Sequence, residues 1–391
     1  MASCDRRIRD WLEGQLDSYL VDLGDLVNRD CGTSYKPGVD EVIDWMENRL
    51  LSWGAEVERR AEEKYGDMLL ARWPGSGRAR ILLSGHADTV YPIGTAAKRP
   101  MRRAEHDINH LLGPGVTDMK SGLLSALYAV AALRLAGLDE WQEVAIVINS
   151  EEEKGSPVSR YWLEELAQEY DVGLVLEAGR ANGNIVTGRK GGGTWTIMVE
   201  GKAAHAGVEP EKGANAIVQM AHYAVALDAI NGRIDGATVV PGTIQGGEVS
   251  NMVPPYAEMK VDTRAIDPRG IQHLKEAVQA VIRDHREQVP GTKTRVEGGI
   301  YMDAMPRTEK HLQLFALAKE SAQAQGFTID EQITGGMSDA NILAAAGLPV
   351  LDGLGPVGGL DHSPNEYLRI ETIIPRTAML AGLIYRLCQQ E

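Results

Sequence analysis

The clearest hydrophobic pattern in the chain is a short apolar run that ends in polar residues. Residues 80–86 read Arg-Ile-Leu-Leu-Ser-Gly-His, and Asp88 follows two positions after His86. Such a run predicts a buried strand, and side chains two positions apart on extended backbone point to the same side. We therefore expect this strand to deliver an imidazole and a carboxylate together at its C-terminal end, where open parallel sheets place their ligands.

Similar runs recur along the chain and alternate with helical periodicity. Short apolar segments occupy 144–149, 172–177 and 349–354, and residues 121–136 form the clearest helical pattern. Strands that alternate with helices are typical of parallel βαβ units with helices on both faces of the sheet. The pattern predicts an α/β fold with a mostly parallel sheet.

The first 75 residues predict a helix, a loop, a second helix and a strand. An amphipathic pattern runs from Ile8 to Leu23 without interruption, which predicts a single helix there. The second helix carries apolar residues from Val42 to Leu50 near a spacing of 3.6 and stops at Gly54. We expect its apolar face to cover the sheet.

The pattern changes between about residues 190 and 300. The predicted elements are a strand at Thr194–Glu200, a helix at Gly213–Ile230 with Ile217, Met220, Ala224 and Leu227 on one face, strands at 237–244 and 256–263, a helix at 271–288 and a strand near 292–297. This βαββαβ order predicts a ferredoxin-like unit, and glycine-rich stretches at both ends could serve as hinges. We predict a domain inserted at 190–300 within a catalytic domain made of 1–189 and 301–391.

Composition narrows the class of protein. A chain of 391 residues suits two domains, and a formal charge of −15 without a basic tract argues against nucleic acid as a partner. Cys4, Cys31 and Cys388 are few and scattered, which favours a reducing compartment over a disulfide framework. Because no secretory leader and no long apolar run is present, we expect a cytoplasmic protein without a membrane partner.

Acidic and imidazole groups follow several of the predicted strands. Besides His86, the candidates for a metal site are Asp118, Glu152 or Glu153, Glu177 and His362. Asp118 lies in a glycine-bracketed loop before the long helix, and His362 lies in a turn-rich loop after the last predicted strand. Groups at the carboxyl ends of parallel strands converge on one edge of the sheet, so we expect these side chains to meet.

Nitrogen and oxygen ligands without cysteine suit Zn²⁺, with Mn²⁺ or Co²⁺ as alternatives. Two histidines and three carboxylates exceed what one tetrahedral zinc needs, which indicates two metals that share one carboxylate. Of two adjacent glutamates, one would be a ligand and the other a general base. The opposing interpretation is that residues 151–154 form a solvated charge run and that each histidine is structural, but five such groups at strand ends favour a metal site.

At this point the motifs resemble a known family. The sequence Ser-Gly-His-Ala-Asp-Thr-Val begins at residue 84 and Gly-Pro-Gly-Val-Thr-Asp-Met-Lys-Ser-Gly at residue 113; Glu-Glu-Glu-Lys-Gly-Ser (151–156), Gly-Lys-Ala-Ala-His-Ala-Gly (201–207) and Thr-Gly-Gly-Met-Ser-Asp-Ala-Asn (334–341) follow. Together, in this order and over nearly the whole chain, they resemble the M20 metallopeptidases, and within that family the glutamate carboxypeptidase branch.

The resemblance implies a zinc-exopeptidase-like catalytic domain with two Zn²⁺ ions per subunit, bridged by Asp118 and a water or hydroxide. The implied ligands are His86 and Glu177 for one ion, and Glu153 and His362 for the other. Glu152 would be the general base, and Asp88 would orient His86 from behind. A cis peptide bond is implied between Asp118 and Met119.

The resemblance also assigns the inserted domain as a lid and dimerisation domain. His205 would reach the partner subunit's site in a homodimer and polarise the scissile carbonyl. Arg264 and Asn251 would bind substrate, Arg264 because its guanidinium can hold a carboxylate with two hydrogen bonds; the alternative is that Arg264 only pairs with a neighbouring aspartate. Gly336 would leave backbone room beside the substrate.

One departure from the branch concerns substrate choice. A lysine and an arginine that grip glutamate in that branch are replaced here by Asn184 and Ile300. Arg189 and Lys190 lie nearby in sequence and can substitute for them, and we expect Arg189 to bind substrate. The expected activity is that of a carboxypeptidase-type amidohydrolase acting on a small peptide or N-acyl amino acid beside a free carboxylate. Alternatives are an N-acyl-amino-acid deacylase of the acetylornithine or succinyl-diaminopimelate kind, a dipeptidase, and, remotely, a non-catalytic binding protein.

Overall fold

The computed structural model describes residues 3–390. Residues 1, 2 and 391, which the predicted catalytic domain includes, lie outside this range. The helices are α1 (Ser3–Glu13), α2 (Leu16–Val27), α3 (Lys36–Ser52), α4 (Thr95–Lys98), α5 (Ser121–Leu135), α6 (Ser159–Leu166), α7 (Ala216–Asp228), α8 (Pro268–Asp284), α9 (Glu309–Ala324), α10 (Asp339–Ala345) and α11 (Ile370–Cys388). The strands are β1 (Glu56–Arg60), β2 (Met68–Pro74), β3 (Arg80–His86), β4 (Arg102–Arg103), β5 (His110–Leu112), β6 (Glu143–Asn149), β7 (Val172–Val175), β8 (Ile185–Arg189), β9 (Gly191–Glu200), β10 (Thr238–Gly246), β11 (Tyr256–Ala265), β12 (Lys293–Met302), β13 (Glu331–Thr334), β14 (Val350–Leu351), β15 (Gly358–Gly359) and β16 (Tyr367–Arg369).

The described chain divides into two compact units. The first contains the residues up to 187 together with 307–333 and the residues from 338 onwards, and the second contains 188–306 with 334–337. The segment predicted as an insertion, 190–300, lies inside the second unit. The glycine-rich segment 334–337, which the sequence analysis leaves in the catalytic domain, also belongs to the second unit.

A six-stranded sheet forms the centre of the first unit. Its strand order is β1-β2-β6-β3-β7-β14. The four strands from β6 to β14 run parallel, whereas β2 pairs antiparallel with both β1 and β6. The prediction of an α/β fold with a mostly parallel sheet is confirmed. Because β3, β6 and β7 are neighbours and parallel, the residues that follow them emerge at the same edge.

Helix α5 packs closely on the sheet, and this packing positions the turn that precedes the helix. All but three of its residues are buried, and it contacts α11, whose inner face is also buried. At its start, a Cβ on Gly122 would lie 1.9 Å from the backbone oxygen of Leu176. Only glycine allows this approach, which brings the turn before α5 against the end of β7.

The second unit is an antiparallel sheet covered by two helices. The strand order is β10-β11-β9-β12, with all neighbours antiparallel. Met220 and Tyr223 of α7 and Leu274 and Val278 of α8 are buried with the apolar residues of the sheet. The βαββαβ order therefore matches the predicted ferredoxin-like unit. Its role as a lid stays a prediction.

Four expectations about elements are wrong. The single strand expected before residue 75 is two strands, β1 and β2, which pair antiparallel. The amphipathic pattern from Ile8 to Leu23 is two helices, because the chain turns at Gly14 and Gln15 between α1 and α2. The strand expected at 349–354 shrinks to β14, because Asp352 pairs through its backbone with Val186 instead. Ile217 is 39% exposed, because α7 turns residues 216, 220, 223 and 227 towards its sheet.

No helix within residues 3–390 combines the length and the apolar character that crossing a bilayer requires.

Candidate active site

His86 closes strand β3 at the carboxyl edge of the parallel sheet. It lies opposite Asn149, the last residue of β6, and its side chain is 1% exposed. Its Nδ1 lies 3.0 Å from the backbone oxygen of Asp88, so the ring proton belongs on Nδ1. The Nε2 atom faces the other candidate ligands, 3.2 Å from Asp118 and 3.7 Å from Glu177; it carries a proton when it donates to Asp118, and in the neutral ring with its proton on Nδ1 it carries the lone pair. This is the tautomer that a metal ligand needs.

Asp118 lies between the two candidate histidines. Its Oδ1 is 3.2 Å from Nε2 of His86, and its Oδ2 is 3.2 Å from Nε2 of His362. Burial acts to raise the pKa of this carboxyl, but the hydrogen bonds with His362 and His86 outweigh it and hold the pKa well below its usual range. The peptide bond from Asp118 to Met119 is cis, as the resemblance implies. One carboxylate oxygen thus faces each imidazole.

Glu153 and His362 complete the outer side of the cluster. Nε2 of His362 lies 3.1 Å from Oε2 of Glu153. Hydrogen bonds to Asp118 and Glu153 raise the pKa of His362 to about 11. The backbone φ of His362 is 62°, in the left-handed region that non-glycine residues seldom adopt. The loop therefore holds this imidazole in a conformation at odds with its local preference, as functional loops often do.

Glu152 faces the same cluster from the turn after β6. Its Oε2 lies 4.0 Å from Nε2 of His86. Burial raises the pKa of Glu152 well above its usual range; His86 opposes this shift, and the carboxylates of Glu177, Asp339 and Glu153 reinforce it. The side chain thus has the raised proton affinity that a general base and acid near neutral pH requires.

Asp88 joins the two halves of the cluster. Its Oδ1 lies 3.3 Å from Nδ1 of His86 and also accepts a 3.2 Å hydrogen bond from the N–H of Glu152. Its Oδ2 accepts hydrogen bonds from the N–H of Glu153 at 3.4 Å and from Oγ1 of Thr33 at 2.6 Å. One buried carboxylate therefore orients both an imidazole and the turn that carries two glutamates.

The donor atoms fit a metal centre. Ligand atoms of His86, Asp118 and Glu153 lie within 4.8 Å of one another, as do those of His86, Glu152 and Glu177. The set combines imidazole nitrogens with carboxylate oxygens, which suits zinc. So many buried carboxylates would repel one another without cations among them. The chemistry of this cluster therefore fits bound metal ions.

Sequence reasoning misses Glu366, a buried carboxylate behind Asp118. It accepts hydrogen bonds from the N–H groups of Gly115, Thr117 and Asp118 at 2.9–3.1 Å and from the hydroxyl of Tyr91 at 2.7 Å. Burial raises its pKa to about 7 although these hydrogen bonds favour the charged form. The only signal in the sequence is an acid four positions after His362, on the loop that supplies the second imidazole.

Glu151 and Asp339 also act from behind the cluster. Glu151 accepts hydrogen bonds from the N–H groups of Val158 and Ser159 at 3.1 and 2.6 Å. Asp339 accepts from Asn149 at 2.6 Å and from Ser156 at 2.5 Å, and burial raises its pKa to about 6. The three consecutive glutamates thus have different roles, because Glu151 stabilises the turn on which Glu152 and Glu153 lie.

The remaining predicted site residues belong to the second unit. His205 is exposed, and its Nδ1 accepts a hydrogen bond from the N–H of Gly207 at 3.1 Å, which places the ring proton on Nε2. The neighbouring N–H of Ala206 donates to the backbone oxygen of Asn251 at 2.9 Å. His205 is therefore held through Nδ1 and has its N–H donor on Nε2.

The two arginines that the sequence analysis assigns to substrate binding, Arg264 and Arg189, differ in exposure. Arg264 is partly exposed; its Nε lies 3.1 Å from Asp262, the pairing that the sequence analysis weighed, and its Nη1 lies 3.0 Å from the oxygen of Gly335. Arg189 is 3% exposed and donates to the oxygen of Gly336 at 3.1 Å. Arg189 is thus engaged within its own unit.

Comparison with known proteins identifies the family. The model of peptidase family M20/M25/M40 matches residues 82–386. The chain belongs to this family. It is 30% identical over 364 residues to carboxypeptidase G2 of Pseudomonas sp. (strain RS-16), which covers 92% of this chain and 86% of that protein. It is 26% identical to an acetylornithine deacetylase of Myxococcus xanthus, over 91% of this chain and 94% of the relative.

Solved structures confirm the fold of this M20 protein. A tripeptidase from Staphylococcus aureus superposes with a TM-score of 0.82 over 96% of this chain and 99% of its own, at 21% identity. The resemblance that the motifs indicated is therefore confirmed, and the chain is an M20-type hydrolase of a metal-dependent family. The cluster around Asp118 is its candidate metal centre.

Proposed function

We propose that this M20 hydrolase is a dizinc enzyme of carboxypeptidase type that cleaves a peptide or amide bond beside a free carboxylate. The observation that carries the proposal is the position of Asp118, whose two oxygens each face one imidazole Nε2 at 3.2 Å. His86 and Glu177 would hold one ion, and Glu153 and His362 the other. Bound zinc would polarise the scissile carbonyl and lower the pKa of a water molecule.

The side chains of this chain supply the proton transfers. Glu152 takes the proton of the attacking water and gives it to the leaving nitrogen, which its raised pKa favours. Asp88 contacts both His86 and the turn that carries Glu152, and so fixes their positions relative to each other. His205, with its proton on Nε2, donates a hydrogen bond to the oxygen that becomes negative in the transition state.

The free carboxylate of the substrate is assigned to Arg264. Its guanidinium is partly exposed, and its fork of N–H donors matches a carboxylate. Asn251 and the backbone at Gly336 would contribute further polar contacts. The similarity to carboxypeptidase G2 supports an acidic group on the leaving side.

A second candidate is an N-acyl-amino-acid deacylase. The burial of Arg189 favours it, because this arginine is engaged with Gly336 rather than available to replace the residues missing at Asn184 and Ile300. Similarity to an acetylornithine deacetylase also favours the deacylase.

A side-by-side assay separates the candidates. Zinc-loaded protein is offered N-acylglutamates, N-acetylornithine and dipeptides, with the Glu152→Gln variant as a blank. We expect kcat/KM for an N-acylglutamate to exceed the others at least tenfold. A preference for N-acetylornithine would replace the proposal with the deacylase, and a preference for dipeptides with a dipeptidase. Hydrolysis of none, together with no bound metal, would favour the alternative of a non-catalytic binding protein on this scaffold.

A homodimer is part of the proposal. Strand β10 lies at an edge of its sheet, and its residues Val240 and Ile244 are 51% and 58% exposed. Val218 and Val225 on α7 are 44% and 74% exposed. Exposed apolar side chains beside a free strand edge favour pairing with a second chain. The partner subunit would then receive His205.

A further inference from the structure

Arg376 is a buried cation that forms no ion pair within residues 3–390. It follows Pro375 on α11 and is 2% exposed. Burial, together with the nearby charge of Arg180, lowers its pKa to about 10. Burying a guanidinium without a counter-charge is unfavourable unless its N–H groups are hydrogen-bonded. We therefore expect this side chain to make contacts that an apolar residue could not make.

The guanidinium donates hydrogen bonds to backbone oxygens of two loops. Its Nε donates to the oxygen of Gly355 at 2.9 Å, and its Nη2 donates to the oxygen of Gly353. Both acceptors lie in the 352–357 loop, which follows β14. Its Nη1 donates at 2.8 Å to the oxygen of Gly183, which lies in the 176–184 loop after β7. One planar cation thus crosslinks the two loops.

The two loops are also hydrogen-bonded to each other beside this guanidinium. The N–H of Gly355 donates to the oxygen of Glu177 at 2.9 Å. The N–H of Gly179 donates to the oxygen of Pro356 at 3.0 Å. A Cβ on Gly179 would lie 2.7 Å from Nη2 of Arg376, so the position has room only for glycine while the guanidinium keeps its place. Arg376 is therefore packed against the backbone two residues from Glu177.

Each loop positions one candidate metal ligand. The 176–184 loop carries Glu177, whose carboxylate lies 3.7 Å from Nε2 of His86. The 352–357 loop leads through the short strand β15 to His362, whose Nε2 faces Asp118 and Glu153. All of these residues belong to the first unit. Because Arg376 hydrogen-bonds backbone oxygens of both loops, it can act on both ligands through the backbone.

We propose that Arg376 is a positioning residue of the metal centre. Its guanidinium fixes the 176–184 loop against the 352–357 loop and thereby sets the spacing of Glu177 and His362, one ligand of each ion. The inference rests on the proposed function, from which it takes these two residues as ligands. The alternative is that Arg376 stabilises only the packing of α11, in which case its replacement lowers stability and leaves the metal centre unchanged.

The test measures metal binding rather than turnover. Arg376→Met keeps an unbranched side chain but removes all three hydrogen bonds, so Zn²⁺ affinity, measured by competition with a chelator, falls about 10- to 100-fold. Arg376→Lys keeps the charge but not the planar fork, and its loss of affinity is intermediate. The matched control is Arg386→Met on the same helix, which breaks the ion pair with the buried Asp5 and leaves Zn²⁺ affinity unchanged.

Two further measurements separate positioning from stability. Urea midpoints show how far each variant is destabilised, and the visible absorption of bound Co²⁺ reports the geometry of its ligands. Arg376→Lys changes the Co²⁺ spectrum, whereas Arg386→Met leaves it as in the native protein. Gly179→Ala, which displaces the guanidinium from the side of the loop, changes the spectrum and weakens Zn²⁺ binding in the same direction, and it decides the question if Arg376→Met does not fold.

The outcomes distinguish this role from the proposed function. Native Zn²⁺ affinity and a native Co²⁺ spectrum in folded Arg376→Met, or an equal loss of affinity in Arg386→Met, would overturn the positioning role and leave the proposed function intact. Two ions bound by the native protein and weakened by Arg376→Met, together with no hydrolysis of any assayed amide, would overturn the function and keep the role of Arg376.

Discussion

Asp88 shows how much one residue organises at this site. Its carboxylate faces Nδ1 of His86 and accepts N–H bonds from both Glu152 and Glu153. The spacing of two residues predicted that the side chains of His86 and Asp88 point to the same side, and the family resemblance implied that Asp88 orients His86. The contacts with the glutamate turn depend on the neighbouring strand β6 and could not be read from spacing.

Glu152 is the residue on which proton transfer depends. Replacing it by Gln keeps the shape of the side chain but removes its capacity to take a proton, so we expect kcat to fall about 10²- to 10⁴-fold. Zinc content, measured by elemental analysis, stays as in the native protein. Glu164→Gln, an exposed position on α6, serves as the matched control. Retained turnover in Glu152→Gln would assign the base elsewhere.

Glu366 is expected to act through Asp118. Its carboxylate holds the N–H groups of the turn on which Asp118 lies, so Glu366→Ala would free the shared ligand and weaken zinc binding about 10- to 100-fold. Zinc affinity is measured by competition with a chelator. Glu371→Ala, an exposed acid on the following helix, is the control and leaves affinity unchanged. Equal zinc affinities for the two variants would mean that Glu366 stabilises only the local structure.

At the scale of elements, the strands and helices whose apolar residues repeat at a regular spacing were predictable. The segments around β3, β6, α5 and β9 follow the apolar pattern closely because each buries its apolar side against the core. The hydrophobic pattern gave wrong predictions where tertiary contacts determine the local structure. A continuous amphipathic stripe does not show that the chain turns at Gly14, and the short β14 depends on a backbone pairing between Asp352 and Val186.

The meeting of His86, Glu153 and Glu177 was predictable, since the parallel neighbours β3, β6 and β7 bring their carboxyl ends together. The residues that hold those ligands in place were not. Glu366 and Asp339 come from segments distant in sequence. Each contacts the site only because the fold brings the loop between β15 and β16, and the start of α10, next to it. A single sequence carries no signal for such long-range hydrogen bonds.

The contact between α5 and β7 gives a test at this scale. Gly122→Ala places a methyl group against the backbone oxygen of Leu176, so we expect a loss of about 1–3 kcal/mol in the free energy of unfolding. Urea denaturation measures it. Gly14→Ala, where the nearest atom would be 3.4 Å away, is the control and causes no loss. An unchanged urea midpoint for Gly122→Ala would mean that α5 does not depend on this close approach.

At the scale of the whole molecule, the proposed dimer makes the site a shared one. Mixed dimers of a Glu152→Gln subunit and a His205→Ala subunit test this arrangement. If His205 acts in the partner's site, one of the two sites keeps both residues, and the mixed dimer has about half the native activity. If His205 acts in its own subunit, both sites are impaired and activity falls to that of the single variants.

The central claim is that hydrolysis by this protein needs two zinc ions per chain, held around Asp118. It is tested most directly by adding zinc in known equivalents to the chelated protein while following the release of glutamate from an N-acylglutamate. The geometry of Asp118 between His86 and His362 predicts that the rate reaches its maximum at two equivalents per chain. Full activity at one equivalent, or without zinc, would contradict it.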